Sequence, residues 1–196
     1  MKLSANLSLL YAELPFLRRF TAARRDGFRA VEIQFPYDVP INDIRRALTD
    51  NQLECVLINV PAGDLMSGGE GLASVPCKTA EYAAAVVECL SYARALGVPT
   101  VNVLPGRCKD PAQRDAYLST FKKNLLVTAD SLSPFGITTT FEAINRFDMP
   151  DFLLCTGREM LAVLSDLKHP GVKAQFDVYH MSRMGVDVTG FIKRHG

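Results

Sequence analysis

The feature that most limits the fold of this chain is a repeat in which a short apolar run is followed by a longer, helically patterned stretch. The runs with the length and composition of strands lie at residues 3–7, 30–35, 55–59, 100–104, 137–141 and 172–176. Strands that alternate with amphipathic helices are typical of successive βα units built around a parallel sheet. We therefore predict an α/β fold with about six βα units.

Local signals mark where two of the helices begin. Asp110 precedes a proline, which is typical of an N-cap followed by the first helical position, and we predict a helix over residues 111–133. Thr156 is followed three residues later by Glu159, which is a capping-box pattern. The helix that begins there is predicted to reach residue 167.

Repeated βα units can build either an open doubly wound sheet or a closed barrel. The sequence contains no G-x-G-x-x-G or P-loop pattern, which disfavours a nucleotide-binding open sheet and favours a barrel. Proline and glycine cluster in residues 60–78, which we predict to be the longest irregular connection and of the length at which loops are usually functional or mobile. No linker or change of composition divides the chain, so a single domain over residues 1–196 is expected.

The composition limits the classes of partner. The formal net charge is +1 and acidic and basic residues are interspersed, so the broad positive field that nucleic acid or an anionic membrane requires is not expected. The five cysteines are odd in number and lack a C-x-x-C pair, which favours reduced thiols over disulfides or a zinc site. The first residues are not expected to form a signal peptide, because their apolar stretch is short and interrupted by Glu13 and Pro15. These features predict a cytoplasmic protein that acts on a small molecule.

Two carboxylates stand directly after neighbouring predicted strands. Glu142 ends the fifth strand, and Asp177 follows the sixth, with His180 three residues later. In a parallel barrel the carboxyl ends of the strands form one rim, where two carboxylates suit a divalent cation such as Mg²⁺ or Mn²⁺. The alternative is structural: Glu142 as an ion-paired rim residue, Asp177 as a cap and His180 as packing.

Further polar residues near strand ends are candidates for hydrogen bonds to a polar substrate. They are Asn6, Ser8, Glu32, Gln34, Asn59, Asn102 and Arg107. Arg107 is the candidate for a substrate carboxylate, since its planar guanidinium can bind both oxygens, although a surface arginine is the alternative. The chain has no G-x-S-x-G motif, so a serine nucleophile of that type is not predicted.

Five segments in order along the chain resemble the hydroxypyruvate isomerase family. They are SANLS at residues 4–8, VLIN at 56–59 leading to Gly63 and Asp64, YARALG at 92–97, EAIN at 142–145 and DVYHM at 177–181. The resemblance spans nearly the whole chain. It implies a TIM barrel of the xylose isomerase-like type.

The resemblance also implies a reaction and roles for residues. The expected reaction is the metal-assisted interconversion of hydroxypyruvate and tartronate semialdehyde through an enediolate, with Mg²⁺ or Mn²⁺. Glu142 would be metal ligand and acid/base, Asp177 a second ligand, and His180 a substrate contact. A 2-oxo-tetronate isomerase, a sugar epimerase of the same superfamily and a non-catalytic remnant are the alternatives.

The length of the chain differs from what this resemblance implies. A complete barrel has eight βα units in about 250 residues, whereas about six units are predicted here, so the barrel is expected to be incomplete at its C-terminal side. The family's remaining metal ligands and second catalytic glutamate are expected on the later strands. Unpaired sheet edges favour association, and a homo-oligomer is therefore expected.

Overall fold

A computed structural model describes residues 2–196 and contains one sheet of six strands. The strands are β1 (Ser4–Asn6), β2 (Ala30–Ile33), β3 (Glu54–Asn59), β4 (Thr100–Val103), β5 (Thr138–Glu142) and β6 (Val172–Gln175). Every neighbouring pair is parallel. The six predicted strands are confirmed, and their bounds differ from the predicted ranges by only a few residues.

The order of the strands decides between the two α/β architectures. In a doubly wound sheet the strand order reverses at a switch point, whereas the strands of a barrel follow one another around it. Here the order in the sheet is β1 to β6 without reversal. This confirms the barrel-type α/β fold, and it brings the carboxyl ends of all six strands to one rim. Within residues 2–196, β1 and β6 each pair with one neighbour.

Seven α-helices accompany the strands of the described chain. They are α1 (Phe16–Arg25), α2 (Ile41–Asn51), α3 (Thr79–Leu96), α4 (Arg114–Leu132), α5 (Gly157–Leu167), α6 (Val178–Arg183) and α7 (Val188–His195). Within residues 2–196, no helix has both the length and the apolar character needed to cross a lipid bilayer.

The predicted helix starts are present, with one difference of detail. The capping box is formed: the Thr156 hydroxyl accepts a hydrogen bond from the backbone of Glu159, whose carboxylate accepts one from the backbone of Thr156. Asp110 caps a short 3₁₀ turn, Pro111–Gln113, and α4 begins only after it. The Asp110 side chain accepts from the backbone of Ala112 and tightens this turn, as 3₁₀ turns commonly do at helix termini.

The core fixes the strands that end at the rim. Phe121 of α4 packs edge-on against Phe141 of β5, with 5.8 Å between ring centroids, and both side chains are fully buried. The hydroxyl of Tyr82 on α3 and that of Thr128 on α4 form a buried hydrogen bond of 2.6 Å. Because Phe141 directly precedes Glu142, this packing holds the end of β5 in place.

The irregular connection between β3 and α3 is packed rather than loose. Arg107 Nη1 donates to the carbonyls of Leu65 at 2.6 Å and Gly69 at 2.9 Å. Gly106 has φ +88°, and a Cβ atom there would lie 2.3 Å from the carbonyl oxygen of Glu70. Only glycine allows this close approach. The connection is therefore tied to the segment that follows β4.

Candidate active site

The carboxyl ends of the strands surround a cavity of about 490 Å³. Its polar lining includes Asn6, Glu32, Gln34, Asn59, Glu142, Asp148, Gln175, Asp177, Tyr179 and His180. Seven of the ten candidate residues named from the sequence are in this lining, and Ser8, Asn102 and Arg107 are not. The structure therefore brings together side chains from opposite ends of the sequence. Asn102 instead contacts Glu142 from behind the lining.

Glu142 is the buried carboxylate of the cavity, with 7% of its surface exposed. The pKa of Glu142 is raised from its usual 4.5 to about 7, and burial is the largest cause. The neighbouring carboxylates Asp177 and Glu32 contribute to the rise, and hydrogen bonds from Asn102 and Gln175 oppose it. A carboxyl group in this environment is a stronger base than an exposed one and titrates near neutral pH.

Asn102 fixes the orientation of Glu142. Its side-chain nitrogen donates to Glu142 Oε1 at 2.9 Å and lies 3.3 Å from Asn59 Oδ1. The Thr140 hydroxyl donates to Asn102 Oδ1 at 3.3 Å, which determines which end of the amide faces the carboxylate. These residues lie on three adjacent strands, so the sheet itself sets the position of the Glu142 carboxylate.

Asp177 combines the structural role proposed as an alternative with a position in the acidic cluster. Its Oδ1 accepts from the backbone of His180 at 2.8 Å and caps α6. One ligand atom from each of Glu142, Asp177 and His180 lies within 4.8 Å of the other two. Capping uses one carboxylate oxygen of Asp177, and the second oxygen remains for another partner.

The donor set fits a divalent cation. Glu142 and Asp177 supply hard carboxylate oxygens, and their mutual repulsion is what a cation would relieve. Gln175 Oε1 is buried in the cavity wall without a hydrogen-bond partner among residues 2–196. A buried carbonyl oxygen without a partner is costly, so this atom would gain from a hydrogen bond or a cation contact.

The first two strands add polar groups on the opposite side of the cavity. Asn6 Oδ1 accepts from the backbone of Ser8 at 2.9 Å, which leaves its side-chain nitrogen for other contacts. Burial raises the pKa of Glu32, an effect that a hydrogen bond from Asn6 opposes and the charge of Asp177 strengthens. Glu32 of β2 therefore adds a third carboxyl group to those of Glu142 and Asp177 in the cavity.

Arg107 lies outside the cavity lining. Its Nη1 binds the two carbonyls of the β3–α3 connection described above. The sequence alone cannot tell whether Arg107 binds backbone carbonyls or a substrate carboxylate, because both roles are compatible with an arginine placed just after a strand.

Comparison with known proteins gives the family. A family model described as xylose isomerase-like TIM barrel matches residues 20–194. Hydroxypyruvate isomerase of Escherichia coli is 39% identical over 189 residues, which cover 96% of this chain and 73% of that protein. The chain belongs to the hydroxypyruvate isomerase family of xylose isomerase-like TIM barrels. The family predicted from the five segments is confirmed, and so is the predicted class of enzyme, an isomerase.

This member of the hydroxypyruvate isomerase family is also similar to the following proteins and solved structures. A 2-oxo-tetronate isomerase of Cupriavidus necator is 35% identical over 193 residues, covering 98% of this chain and 74% of that protein. A solved structure named AP endonuclease, family 2, from Brucella melitensis is 35% identical with a TM-score of 0.94, covering 99% of this chain and 75% of that one. A D-psicose 3-epimerase from Clostridium cellulolyticum, 18% identical with a TM-score of 0.79, shares the fold.

Gln175 and Asp148 are among the polar cavity residues of this hydroxypyruvate isomerase family member that were not singled out from the sequence. Gln175 stands two positions before Asp177, and in an extended segment residues two apart share a face, so this spacing is a signal that was available. Asp148 has no such signal, because it lies in an irregular segment after β5 and reaches the cavity only through the path of that segment.

Proposed function

We propose that this chain catalyses the interconversion of hydroxypyruvate and tartronate semialdehyde. The observation that carries the proposal is the Glu142 carboxylate, which is buried at the end of β5, is held by Asn102 and, in the metal-free protein, has its pKa raised to about 7. A general base is most effective when its pKa lies near the working pH. The 39% identity to a hydroxypyruvate isomerase supports the choice of substrate.

The proposed chemistry moves one proton between neighbouring carbons. The Glu142 carboxylate takes a proton from the hydroxymethyl carbon of hydroxypyruvate, and the electron pair forms the double bond of an enediolate. The protonated Glu142 then returns the proton to the adjacent carbon, while the hydroxyl proton passes from one oxygen to the other. The product is tartronate semialdehyde, with no change in the number of atoms or electrons.

The residues that would hold a Mg²⁺ or Mn²⁺ ion are Glu142 and Asp177, with Gln175 Oε1 as a further oxygen. When bound, such a cation supplies positive charge that polarises the substrate carbonyl and offsets the acidic side chains. Asp177 is already anchored by its capping hydrogen bond. Its remaining oxygen therefore has a fixed direction.

The substrate contacts proposed within the cavity are hydrogen-bond donors from side-chain amides and an imidazole. Asn6, Asn59 and His180 line the cavity, and no lysine or arginine of residues 2–196 does so. The carboxylate of hydroxypyruvate would therefore be bound by these donors and by the cation. Contact of Arg107 with this carboxylate stays a prediction from the sequence.

A 2-oxo-tetronate isomerase activity is the second candidate. The 35% identity to 2-oxo-tetronate isomerases supports it, and the size of the cavity allows it. A cavity of about 490 Å³ has room for a four-carbon acid as well as a three-carbon one. The same base and the same proton transfer would serve both substrates.

The acidic cavity argues against a role on nucleic acid. The structural neighbour from Brucella melitensis carries the name of an AP endonuclease, and an enzyme on DNA needs basic side chains for the phosphates. The lining contains Glu32, Glu142, Asp148 and Asp177, and the net charge of the chain is only +1. The lining formed by residues 2–196 therefore lacks the basic side chains that contacts with DNA phosphates need.

The test is exchange of carbon-bound protons with D₂O, followed by ¹H NMR, for hydroxypyruvate and a 2-oxo-tetronate side by side. Mg²⁺, Mn²⁺ and chelator are compared in wild type and Glu142→Gln. Cation-dependent exchange that Glu142→Gln reduces by a factor of about 10² or more supports the proposal. Cation binding by folded protein without exchange of either substrate would contradict it and favour a non-catalytic role.

Two expectations from the sequence stay predictions, namely the cytoplasmic location and a homo-oligomeric state. Cell fractionation tests the location. Sedimentation at several protein concentrations tests the association.

A further inference from the structure

The side chain of Asn145 uses all of its hydrogen-bonding capacity in one place. Asn145 is fully buried, and its Oδ1 accepts from the backbone nitrogens of Phe147 at 3.1 Å and Asp148 at 3.0 Å. Its Nδ2 donates to Asp148 Oδ2 at 2.9 Å and contacts His180 Nδ1 at 2.8 Å. Turning the amide over would set its oxygen against a carboxylate and its NH₂ against two N–H groups. The orientation is therefore fixed by its partners.

The orientation of the Asn145 amide determines which ring nitrogen of His180 carries the proton. Asn145 Nδ2 can only donate, so Nδ1 of His180 must accept. A neutral imidazole that accepts at Nδ1 carries its proton on Nε2. Among residues 2–196, Nε2 has no hydrogen-bond partner, and His180 lines the cavity. The nitrogen left for the cavity is thus a donor.

The same contact decides what His180 cannot do. A histidine that binds a cation offers a lone pair, and its other nitrogen usually donates its proton to an acceptor. With a cation on Nε2, the Nδ1 proton would face the NH₂ of Asn145, where there is no acceptor. A cation on Nδ1 would displace Asn145. Proximity to Glu142 and Asp177 therefore does not make His180 a ligand.

Asp148 and Tyr179 support this arrangement from the other side. The Tyr179 hydroxyl donates to Asp148 Oδ2 at 2.8 Å, the oxygen that also accepts from Asn145. Hydrogen bonds from Asn145 and Tyr179 hold the pKa of Asp148 below its usual value. Asp148 therefore stays an ionised acceptor, which keeps the NH₂ of Asn145 from turning.

We propose that Asn145 is a positioning residue that holds His180 in the Nε2–H form, as a hydrogen-bond donor to a substrate oxygen and outside the cation shell. This inference rests on the proposed isomerase function for the identity of the substrate. The state of the ring and the make-up of the cation shell do not depend on turnover.

The first test is ¹H–¹⁵N NMR of the full chain with labelled histidine at pH 8.5, without metal and with Mg²⁺. The chain has three histidines, and the spectrum of His180→Gln assigns the signals of His180. The expected wild-type pattern is the neutral Nε2–H tautomer, with or without Mg²⁺. A proton on Nδ1, or loss of the Nε2 proton on adding Mg²⁺, would overturn the inference without any need for an Asn145 variant.

Variants then test the part played by Asn145. Asn145→Asp keeps the acceptor for the two backbone N–H groups but replaces the donor, so the His180 proton is expected to move onto Nδ1. A loss of about 10- to 100-fold in kcat/KM should accompany the change, which is the range found when the hydrogen-bond partner that orients a metal-bound imidazole is removed. Wild-type kinetics, or an unchanged ring pattern, in folded Asn145→Asp would contradict the positioning role.

Asn124→Asp is the matched control, because Asn124 is also a buried asparagine and its Nδ2 donates to the Ala73 carbonyl at 2.8 Å. It should lower stability but leave the NMR pattern of His180 unchanged.

Measurement of Mg²⁺ affinity tests whether His180 is a cation ligand. Asp177→Asn should weaken Mg²⁺ binding by about tenfold or more, and His180→Gln should weaken it far less. Equal losses would place His180 in the shell. If no substrate turns over but the ring pattern holds, the proposed function fails and the assignment of His180 stands.

Discussion

At the scale of single residues, Glu142 shows how burial creates a base and at what cost. The carboxyl lies among Asp177, Glu32 and the amides of Asn102 and Gln175. Loss of hydration is the largest cause of its raised pKa, and two amide contacts compensate only in part. The same environment that makes Glu142 a useful base thus disfavours its charged form in the folded protein.

This leads to a prediction for the metal-free protein. Glu142 has a folded pKa of about 7, above that of an unfolded glutamate, so between these values the folded state holds the proton that the unfolded state has released. Stability should fall as the pH rises from about 4.5 to about 7, by on the order of 3 kcal/mol at most. Urea unfolding at a series of pH values, with EDTA, measures the effect.

The control for that prediction is Glu142→Gln, which cannot ionise. Its free energy of unfolding should lack this decrease and should exceed that of wild type above pH 7. An equal slope in both proteins would show that other groups cause the pH dependence.

Arg107 gives a second prediction at this scale. Because its Nη1 binds the carbonyls of Leu65 and Gly69, Arg107→Gln is expected to loosen the β3–α3 connection and speed its cleavage by a protease. KM for hydroxypyruvate should change little. A large rise in KM without faster cleavage would instead support the contact with a substrate carboxylate that the sequence suggested.

At the scale of elements, the start of α5 joins two helices. Glu159 completes the capping box with Thr156, and its Oε1 forms a 2.6 Å ion pair with Arg114 at the start of α4. Two backbone donors at the helix start and one arginine thus depend on the same carboxylate. This shared contact links the start of α5 to the start of α4.

Substitution of the cap tests this arrangement. Thr156→Ala removes the acceptor for the Glu159 backbone and should lower the free energy of unfolding by about 1 kcal/mol. Glu159→Ala removes the other half of the box and the Arg114 pair, so its loss should be larger. Thermal and urea unfolding measure both, and equal losses would mean that the ion pair contributes nothing.

At the scale of the whole molecule, the parallel order of the strands gathers the polar side chains at one rim. Asn6 on β1 and Asp177 after β6 lie at opposite ends of the sheet, yet both line the same cavity. The curvature of the sheet turns six strand ends towards one space. Several carboxylates therefore lie in the same cavity, and the repulsion between them lowers the stability of the folded protein.

A divalent cation should therefore stabilise the whole molecule. Mg²⁺ at about 100 times its Kd is expected to add about 2.7 kcal/mol to the free energy of unfolding, which raises the Tm by several degrees in a chain of this size. Differential scanning calorimetry of wild type and Asp177→Asn tests this. A similar rise in the variant would show that the cation binds elsewhere.

Much of the fold and part of the site were predictable because they depend on local pattern. Alternation of apolar runs and helical faces gave the six strands, since the direction of side chains along a strand or helix has a fixed period. Glu142 and Asp177 were predicted at the rim because residues at the ends of neighbouring parallel strands meet there. The capping box at Thr156 followed from spacing alone.

Contacts between distant segments were decided only by the tertiary structure. Asn145 meets His180 across 35 positions, and Arg107 reaches Leu65 across 42. The pKa of Glu142 depends on how strands from both ends of the chain bury it. Sequence pattern fixes which face a side chain occupies. The contacts, hydration and protonation state of that side chain depend on packing in three dimensions. Those three properties decide the chemistry of the site.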